Sequence, residues 1–391
     1  MLPTPADREL DDLAASVIAS SASLAGQLHP LVAANIGGLV RSMNCYYSNL
    51  IEGHDTNPRD IERALVSEYS RDATKRQLQH EARAHIEVQR MIDAGEAPKE
   101  PVASAAYIRW LHNEFCGRLP DDLLWVTNPD TGKRLRVVPG ELRKVIVKVG
   151  RHIPAPPELL DALLRRFEAA YASPQLSTIQ KIIAVGAAHH RLLWIHPFVD
   201  GNGRVARLLS HAMLLDAGVG SSLWSVARGL ARRVDAYRSA LVEADEPRRG
   251  DFDGRGALSL AALKSFCVFF LETCRDQIEF MRSLLQPSEL LRRMKLHIDD
   301  EIDAGHLPKG SMGLLREALL SGELERGKAS DLTGYQERRA RDTLAALLDR
   351  GLLSTTTPKG PVRLGFPIDV LERWFPKLYP GDLIEQSGAG H

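Results

Sequence analysis

The stretch His196-Pro-Phe-Val-Asp-Gly-Asn-Gly-Arg-Val-Ala-Arg207 collects several chemical groups within twelve residues. His196 is the side chain in it that can accept a proton near neutral pH. Asp200 offers a hard oxygen ligand of the kind that Mg²⁺ takes when it bridges phosphates. Arg204 and Arg207 lie three residues apart, so they share one face of a helix. The pattern predicts a polyphosphate site beside a general base.

Two helix ends must position these groups. Helices are predicted near residues 177–195 and 203–217, and Pro197 helps to end the first of them. Gly201-Asn202-Gly203 then presents successive backbone N–H groups at the start of the second helix, which makes an anion-binding nest. Two guanidinium groups beside such a nest suit a polyphosphate better than a single phosphate.

Apolar residues follow helical spacing along most of the chain, and strand-like alternation is scarce. The exception lies at residues 134–150, where β-branched residues on both sides of Pro139-Gly140 predict a β-hairpin. The composition changes near Gln286-Pro287. Helices are predicted near 6–26, 32–52, 58–70, 74–94, 102–117, 157–172, 177–195, 203–217, 234–244, 258–284 and 288–304.

Bulk properties exclude some classes of protein. The 391 residues carry 50 basic and 50 acidic side chains, so no global charge attracts nucleic acid or membrane. The four cysteines form no CxxC pair, which makes a zinc site or disulfide framework unexpected. The N-terminus lacks a signal pattern, and no apolar run approaches 18 residues. We expect a cytoplasmic protein without a membrane span or membrane partner.

The string from His196 to Arg207 resembles the Fic family signature, HPFx(D/E)GNGRxxR, at every defined position. The resemblance covers roughly residues 30–285 and implies a mainly α fold, a Fic-type helical core with a β-hairpin flap. It also implies a protein adenylyltransferase that moves AMP from ATP onto a Tyr, Ser or Thr hydroxyl of a target protein or of itself. ATP would be the substrate and Mg²⁺ the metal.

The resemblance assigns roles to single residues. His196 would deprotonate the target hydroxyl, and Asp200 would hold Mg²⁺ on the phosphates. Asn202 and nearby backbone N–H groups would stabilise the α-phosphate, while Arg204 and Arg207 would contact the β- and γ-phosphates. The implied ATP-binding residues are Gly201, Asn202, Gly203, Arg204, Arg207 and, near adenine, Tyr237.

The predicted hairpin resembles the flap of this family, which pairs with the backbone of the target as an added strand. The residues expected to dock the target are Val137, Val138, Gly140 and Arg143. A plain surface hairpin remains the alternative.

Residues Ser48 to Gly53 raise a separate question, because Glu52 lies at the end of a predicted helix. A carboxylate is unfavourable there, by about 0.3–1 kcal/mol, at the negative end of the helix dipole. Ser48-x-x-x-Glu52-Gly53 resembles the (S/T)xxxE(G/N) inhibitory motif of the Fic family. The resemblance implies that Glu52 pairs with Arg207 and blocks the γ-phosphate position.

The predicted domains are an N-terminal helical region (1–100) with the inhibitory helix ending near residue 53, a Fic catalytic core (101–285) and a winged helix-turn-helix domain (286–391). The last region could bind DNA through Arg338, Arg339 and Arg341, although a protein-binding or homodimerising role is favoured. Two functional alternatives stay open: a DNA-binding regulator with a nucleotide-sensing Fic domain, and a de-AMPylase.

Overall fold

The computed structural model describes residues 7–127, 132–150 and 152–380. Within them the chain is mainly helical and divides into two compact units. The first contains residues 1–21 and 44–278, and the second contains residues 22–43 and 279–391. The division is therefore not sequential, because one helix begins in the second unit and ends in the first.

The helices and strands follow one another in this order. Helices of the first half are α1 (Arg8–Ala25), α2 (Pro30–Ile51), α3 (Pro58–Leu65), α4 (Ala73–Asp93), α5 (Ala105–Cys116), α6 (Leu160–Tyr171) and α7 (Thr178–Ile195). Those of the second half are α8 (Asn202–Asp216), α9 (Val226–Arg232), α10 (Val234–Ala244), α11 (Leu260–Leu284), α12 (Pro287–Asp303), α13 (Ser311–Ser321), α14 (Ala329–Thr333), α15 (Glu337–Asp349) and α16 (Ile368–Trp374). The strands are β1 (Trp125–Thr127), β2 (Arg134–Arg136), β3 (Leu353–Ser354) and β4 (Arg363–Leu364).

Helix α7 is the central element of the first unit. Its middle is buried on all sides, and it packs against α6 and α8. Gly186 permits close contact with α11, since a Cβ atom there would lie 3.4 Å from the Cα of Cys267. A capping box fixes where α7 begins: the Gln180 N–H donates to Ser177 Oγ, and the Ser177 N–H donates to Gln180 Oε1.

The predicted hairpin at 134–150 is wrong in its pairing. Strand β2 pairs antiparallel with β1, which precedes it, and the Val137 N–H continues this pairing by donating to Leu124 O at 2.8 Å. Residues beyond Pro139-Gly140 form no strand with β2. Their backbone is bound elsewhere, because the Gly140 N–H donates to His112 Nδ1 and the Arg143 N–H donates to Pro197 O.

The second unit contains α12 to α16 and the antiparallel pair of β3 and β4, in which Leu353 faces Leu364. These elements follow the predicted order of helices and a terminal hairpin, while the assignment as a winged helix-turn-helix stays a prediction. The unit has its own core around Trp374, whose indole N–H donates to His297 Nδ1 at 2.9 Å.

No single helix among the described residues has the length and hydropathy needed to cross a membrane, and only the bent pair α1 and α2 passes that test when taken together.

Replacing Ser177 by alanine should weaken the start of α7. The change removes the acceptor of the capping box, so the free energy of unfolding should fall by about 1 kcal/mol. Urea unfolding of the full chain measures the effect. The control is Thr178→Ala, which deletes an exposed hydroxyl one residue further on without touching the box. Equal stability of the two variants would count against the capping role.

Candidate active site

The candidate site lies in the loop that joins α7 to α8. His196 ends α7 in the left-handed conformation, with φ 49° and ψ 64°. Gly201 immediately precedes α8. Its φ of 78° lies in the left-handed region, which glycine adopts at little cost. The loop therefore joins two buried helices, and α8 begins without a side-chain cap on its first N–H groups.

Phe198 and Asn202 fix the shape of this loop. Phe198 is fully buried and stacks on the His112 ring of α5, with ring centroids 3.8 Å apart. The Phe198 N–H donates to Asn202 Oδ1, and Asn202 Nδ2 donates to Phe198 O, both at 3.0 Å. The Asn202 side chain thus closes the turn by binding the backbone of Phe198. Sequence reasoning predicted a contact with phosphate for Asn202 and did not predict this role.

Arg143 is the residue that holds the end of α7. Its side chain is only 2% exposed. Nε donates to His196 O at 2.7 Å, Nη2 donates to Ala155 O at 2.6 Å, and Nη1 donates to Val145 O at 3.0 Å. These hydrogen bonds stabilise the left-handed backbone conformation of His196. This burial does not fit the predicted docking of a target by the Arg143 side chain.

His196 has a neutral imidazole over a wide pH range. Burial, together with the positive charge of Arg143, lowers the pKa of His196 to about 4. The ring is therefore neutral at physiological pH and has a lone pair available as a base.

The Glu52 carboxylate lies directly over the first turn of α8. It forms an ion pair with Arg207, which also donates from Nε to Ser48 Oγ at 2.7 Å and from Nη2 to Ser48 O at 3.2 Å. A Cβ atom at position 203 would overlap Glu52 Oε1, so another residue there would displace the carboxylate from its present place. Glu52 therefore lies against the N-terminus of α8 and occupies Arg207.

The charge of Glu52 is stabilised where it lies. Burial opposes its ionisation, but the positive charges of Arg207 and Arg204 outweigh burial and hold the pKa of Glu52 below its ordinary value. The carboxylate is thus an anion at neutral pH, in the place where a phosphate group would find the same cations.

Arg204 has partners that the sequence did not indicate. It forms an ion pair with Glu81 of α4, and its Nη2 lies 3.1 Å from His54 Nδ1. His54 Nδ1 also lies 3.2 Å from Glu81 Oε2. Glu81 is nearly buried, and its ion pair holds the Arg204 side chain in place. No local spacing links residue 81 to residue 204, which explains why sequence reasoning missed Glu81.

Asp200 is exposed and has no ion pair or side-chain hydrogen bond within the described residues. Three or more metal-binding side chains do not cluster anywhere in this part of the chain. A single free carboxylate fits Mg²⁺ whose remaining ligands are phosphate oxygens and water, the usual arrangement for this ion.

Other predicted site residues have mixed positions. Tyr237 is 2% exposed and its hydroxyl lies 2.7 Å from His189 Nε2, which does not fit a contact with adenine. Val137 is buried, whereas Val138 is 39% exposed and open to contact. Gly140 forms a turn with φ 73° that is held by His112 and by Arg109 Nε, which donates to Gly140 O.

His112 contacts both the loop at Phe198 and the segment at Gly140. Sequence reasoning did not identify it. One face of its ring stacks on Phe198, and its Nδ1 accepts the Gly140 N–H at 2.9 Å. Burial lowers the pKa of His112 to about 4, so the ring stays neutral and can accept that hydrogen bond. The segment at Gly140 and the loop at Phe198 therefore share one support.

Solved structures with this fold identify its class. The chain is similar to a Fic family protein from Desulfovibrio desulfuricans G20, with a TM-score of 0.54, 16% identity and coverage of 94% of this chain and 99% of that one. It is also similar to a Fic domain-containing signalling protein from Bacteroides thetaiotaomicron VPI-5482, with a TM-score of 0.51, 20% identity and coverage of 70% and 98%. The fold is that of Fic proteins.

Sequence comparison places the domain more narrowly. Residues 102–214 match the Fic/DOC family, and this segment of the chain is a Fic domain. Over 79 residues the chain is 46% identical to the protein adenylyltransferase Fic of Drosophila erecta and 47% identical to that of Drosophila melanogaster. The match spans 20% of this chain and 16% of the length of these relatives.

Replacing Arg143 by methionine should raise the pKa of His196 above about 4. A nearby positive charge disfavours the imidazolium, so its removal favours protonation. NMR titration of labelled histidines measures the pKa, with the signal assigned by its loss in His196→Ala.

Two further variants control this measurement. Arg143→Lys keeps a positive charge and should leave the pKa of His196 low. Arg109→Met removes an exposed arginine that also bonds Gly140 and should have no effect. An unchanged pKa in Arg143→Met would contradict the electrostatic role of Arg143.

Proposed function

We propose that this chain is a protein adenylyltransferase that transfers AMP from ATP to a hydroxyl group of a protein and that Glu52 holds it inactive. The observation that carries the proposal is the neutral His196 next to a helix N-terminus that Arg204 and Arg207 flank. The named activity of the Drosophila relatives supports it.

The reaction needs a base and a place for the leaving phosphates. His196 takes the proton of a Tyr, Ser or Thr hydroxyl, and the freed oxygen attacks the α-phosphorus of ATP. The bond to the bridging oxygen breaks, pyrophosphate leaves, and AMP remains as a phosphodiester on the target. Backbone N–H groups at Gly201 to Gly203 and the two arginines stabilise the charge that develops.

Mg²⁺ held at Asp200 would neutralise part of the phosphate charge when bound. Arg204, fixed by Glu81 and His54, is oriented for the β-phosphate. Arg207 is suited to the γ-phosphate, but Ser48 and Glu52 now occupy it.

Autoinhibition follows from competition between two anions for one site. The γ-phosphate and the Glu52 carboxylate both need Arg207, and Glu52 is tethered to the chain, so it competes at a high effective concentration. ATP that binds without Arg207 has its α-phosphorus out of line with the attacking oxygen. Removal of Glu52 would release Arg207 and leave the His196 side chain in place, with its pKa lowered further because the negative charge of Glu52 raises it.

Two alternatives have a specific observation in their favour. Glu52, ionised beside the phosphate site, could orient a water molecule for removal of AMP from a modified protein. The exposed Arg338, Arg339 and Arg341 on α15 would favour a DNA-binding regulator. Salt-dependent binding of duplex DNA by the full chain distinguishes the regulator from an enzyme that acts on protein alone.

Glu52→Gly should raise the transfer of labelled AMP from ATP and Mg²⁺ to protein by roughly 10- to 100-fold, because a hydrogen bond between charged groups contributes about 1.5–3 kcal/mol. Glu52→Gln keeps the shape, loses the charge and should show most of this gain. The double variant with His196→Ala should be inactive. Glu100→Gly, at an exposed glutamate, is the matched control. Equal labelling by the His196→Ala chain would rule out this base.

The pH dependence tests the protonation state of the base. In the Glu52→Gly variant the rate should stay level as the pH falls toward 5. Its midpoint should lie no higher than the pKa of about 4 that His196 has beside Glu52, because the charge of Glu52 raises that pKa. Ordinary histidine would give a half-maximal rate near pH 6.5. Initial rates after a rapid pH jump avoid acid unfolding. A midpoint near 6.5 would show that burial does not depress the pKa of the working base.

A further inference from the structure

A cavity lies apart from the loop between α7 and α8, with walls formed by α6, the end of α7 and residues 254–263. Its volume is about 240 Å³, the room of about eight liquid water molecules. Its walls are mainly apolar and aromatic. The apolar lining residues are Leu163, Phe167, Ala170, Tyr171, Trp194, Ile195, Ala257, Leu258, Leu260 and Leu263.

Three arginines complete the lining: Arg166 on α6, Arg191 on α7 and Arg255 in the loop before α11. None of them forms an ion pair with another described residue, and no acidic side chain is among the residues that line the cavity. The chain as a whole carries equal numbers of acidic and basic residues. Arg166 and Arg255 are exposed and their charges are solvated, so Arg191 is the cation in the lining that bears on a ligand.

Arg191 lies deepest of the three. Only its Nη1 is bonded within the described residues, to Ala244 O at 3.1 Å and to His190 Nδ1 at 3.0 Å. Burial lowers the pKa of Arg191, and the charge of Asp245 partly opposes this. Asp245 itself is held by His190 Nε2 at 3.1 Å. The other guanidinium nitrogens of Arg191 are not among the buried atoms that lack a partner, so they are open to solvent and to an anion that enters the cavity.

A partly buried guanidinium without a carboxylate partner can form a charged hydrogen-bonded pair with an anion that displaces water from it. Its planar group matches a carboxylate in two parallel hydrogen bonds. The apolar walls exclude a strongly hydrated ligand such as free phosphate. We propose that this cavity binds a small carboxylic acid with an apolar body, with the carboxylate on Arg191 and the body against Phe167 and Trp194.

The size of the cavity limits this ligand to a medium-length chain or a comparable ring system. Its body would contact Trp194 and Ile195, the two residues that precede His196. Binding at this cavity does not depend on the activity proposed above, so failure of either proposal leaves the other standing.

Decanoate is the probe for this site, and isothermal titration of the full chain measures its binding. Decanoate should saturate a single site, while decan-1-ol, which has the same chain without a charge, should bind at least about tenfold more weakly. Arg191→Met should reduce the affinity for decanoate to that for the alcohol, and Arg191→Lys should retain part of the difference. Ala170→Trp fills the cavity and should abolish binding of both.

Arg165→Met is the matched control, because Arg165 is exposed on the same helix and does not line the cavity. Circular dichroism of each variant checks that it is folded. Three results would overturn the proposal: no saturable binding of decanoate to the wild type, equal binding of the acid and the alcohol, or binding that survives both Arg191→Met and Ala170→Trp.

Discussion

The contact of Glu52 with Arg207 across Gly203 is the interaction on which the candidate site depends. The carboxylate lies where a Cβ atom at position 203 would overlap it, so the glycine leaves room for this ion pair. Under the proposed function the same room receives a phosphate, and one glycine would then serve two anions in turn. The contacts that hold Arg207 come from one place in the chain, because Ser48 and Glu52 both lie at the C-terminal end of α2.

The residues of the candidate site lie at helix ends, and their supports come from elsewhere in the chain. His196 follows the last turn of α7, and Gly201 precedes the first turn of α8. Arg143 bonds the backbone of His196 and adds to the effect of burial on its pKa, so one side chain acts on both the position and the proton affinity of this imidazole. Position and proton affinity cannot vary independently in such an arrangement.

Spacing alone found the residues whose partners are close in the chain. The string from His196 to Arg207 forms one turn and one helix start, and Ser48 and Glu52 are likewise one helical turn apart. The distant pair of Glu52 and Arg207 came from the resemblance to the Fic family, and the structure contains it. Spacing failed for other contacts between residues far apart in the chain. Alternating β-branched residues predicted a strand after Gly140, but hydrogen bonds to α5 and to Pro197 took that backbone away from the sheet. The same reason hid Glu81 and His112, whose roles depend on packing between helices far apart in sequence.

Helix α2 belongs to both compact units, since residues 22–43 fall in the second unit and residues from 44 onward in the first. Ser48 stands on the last turns of this helix, and Glu52 directly follows it. The unit that contains the C-terminal helices thus holds a piece from near the N-terminus. A fragment that starts at residue 286 therefore lacks residues 22–43 of its own unit, among them the first half of the helix that leads to Glu52.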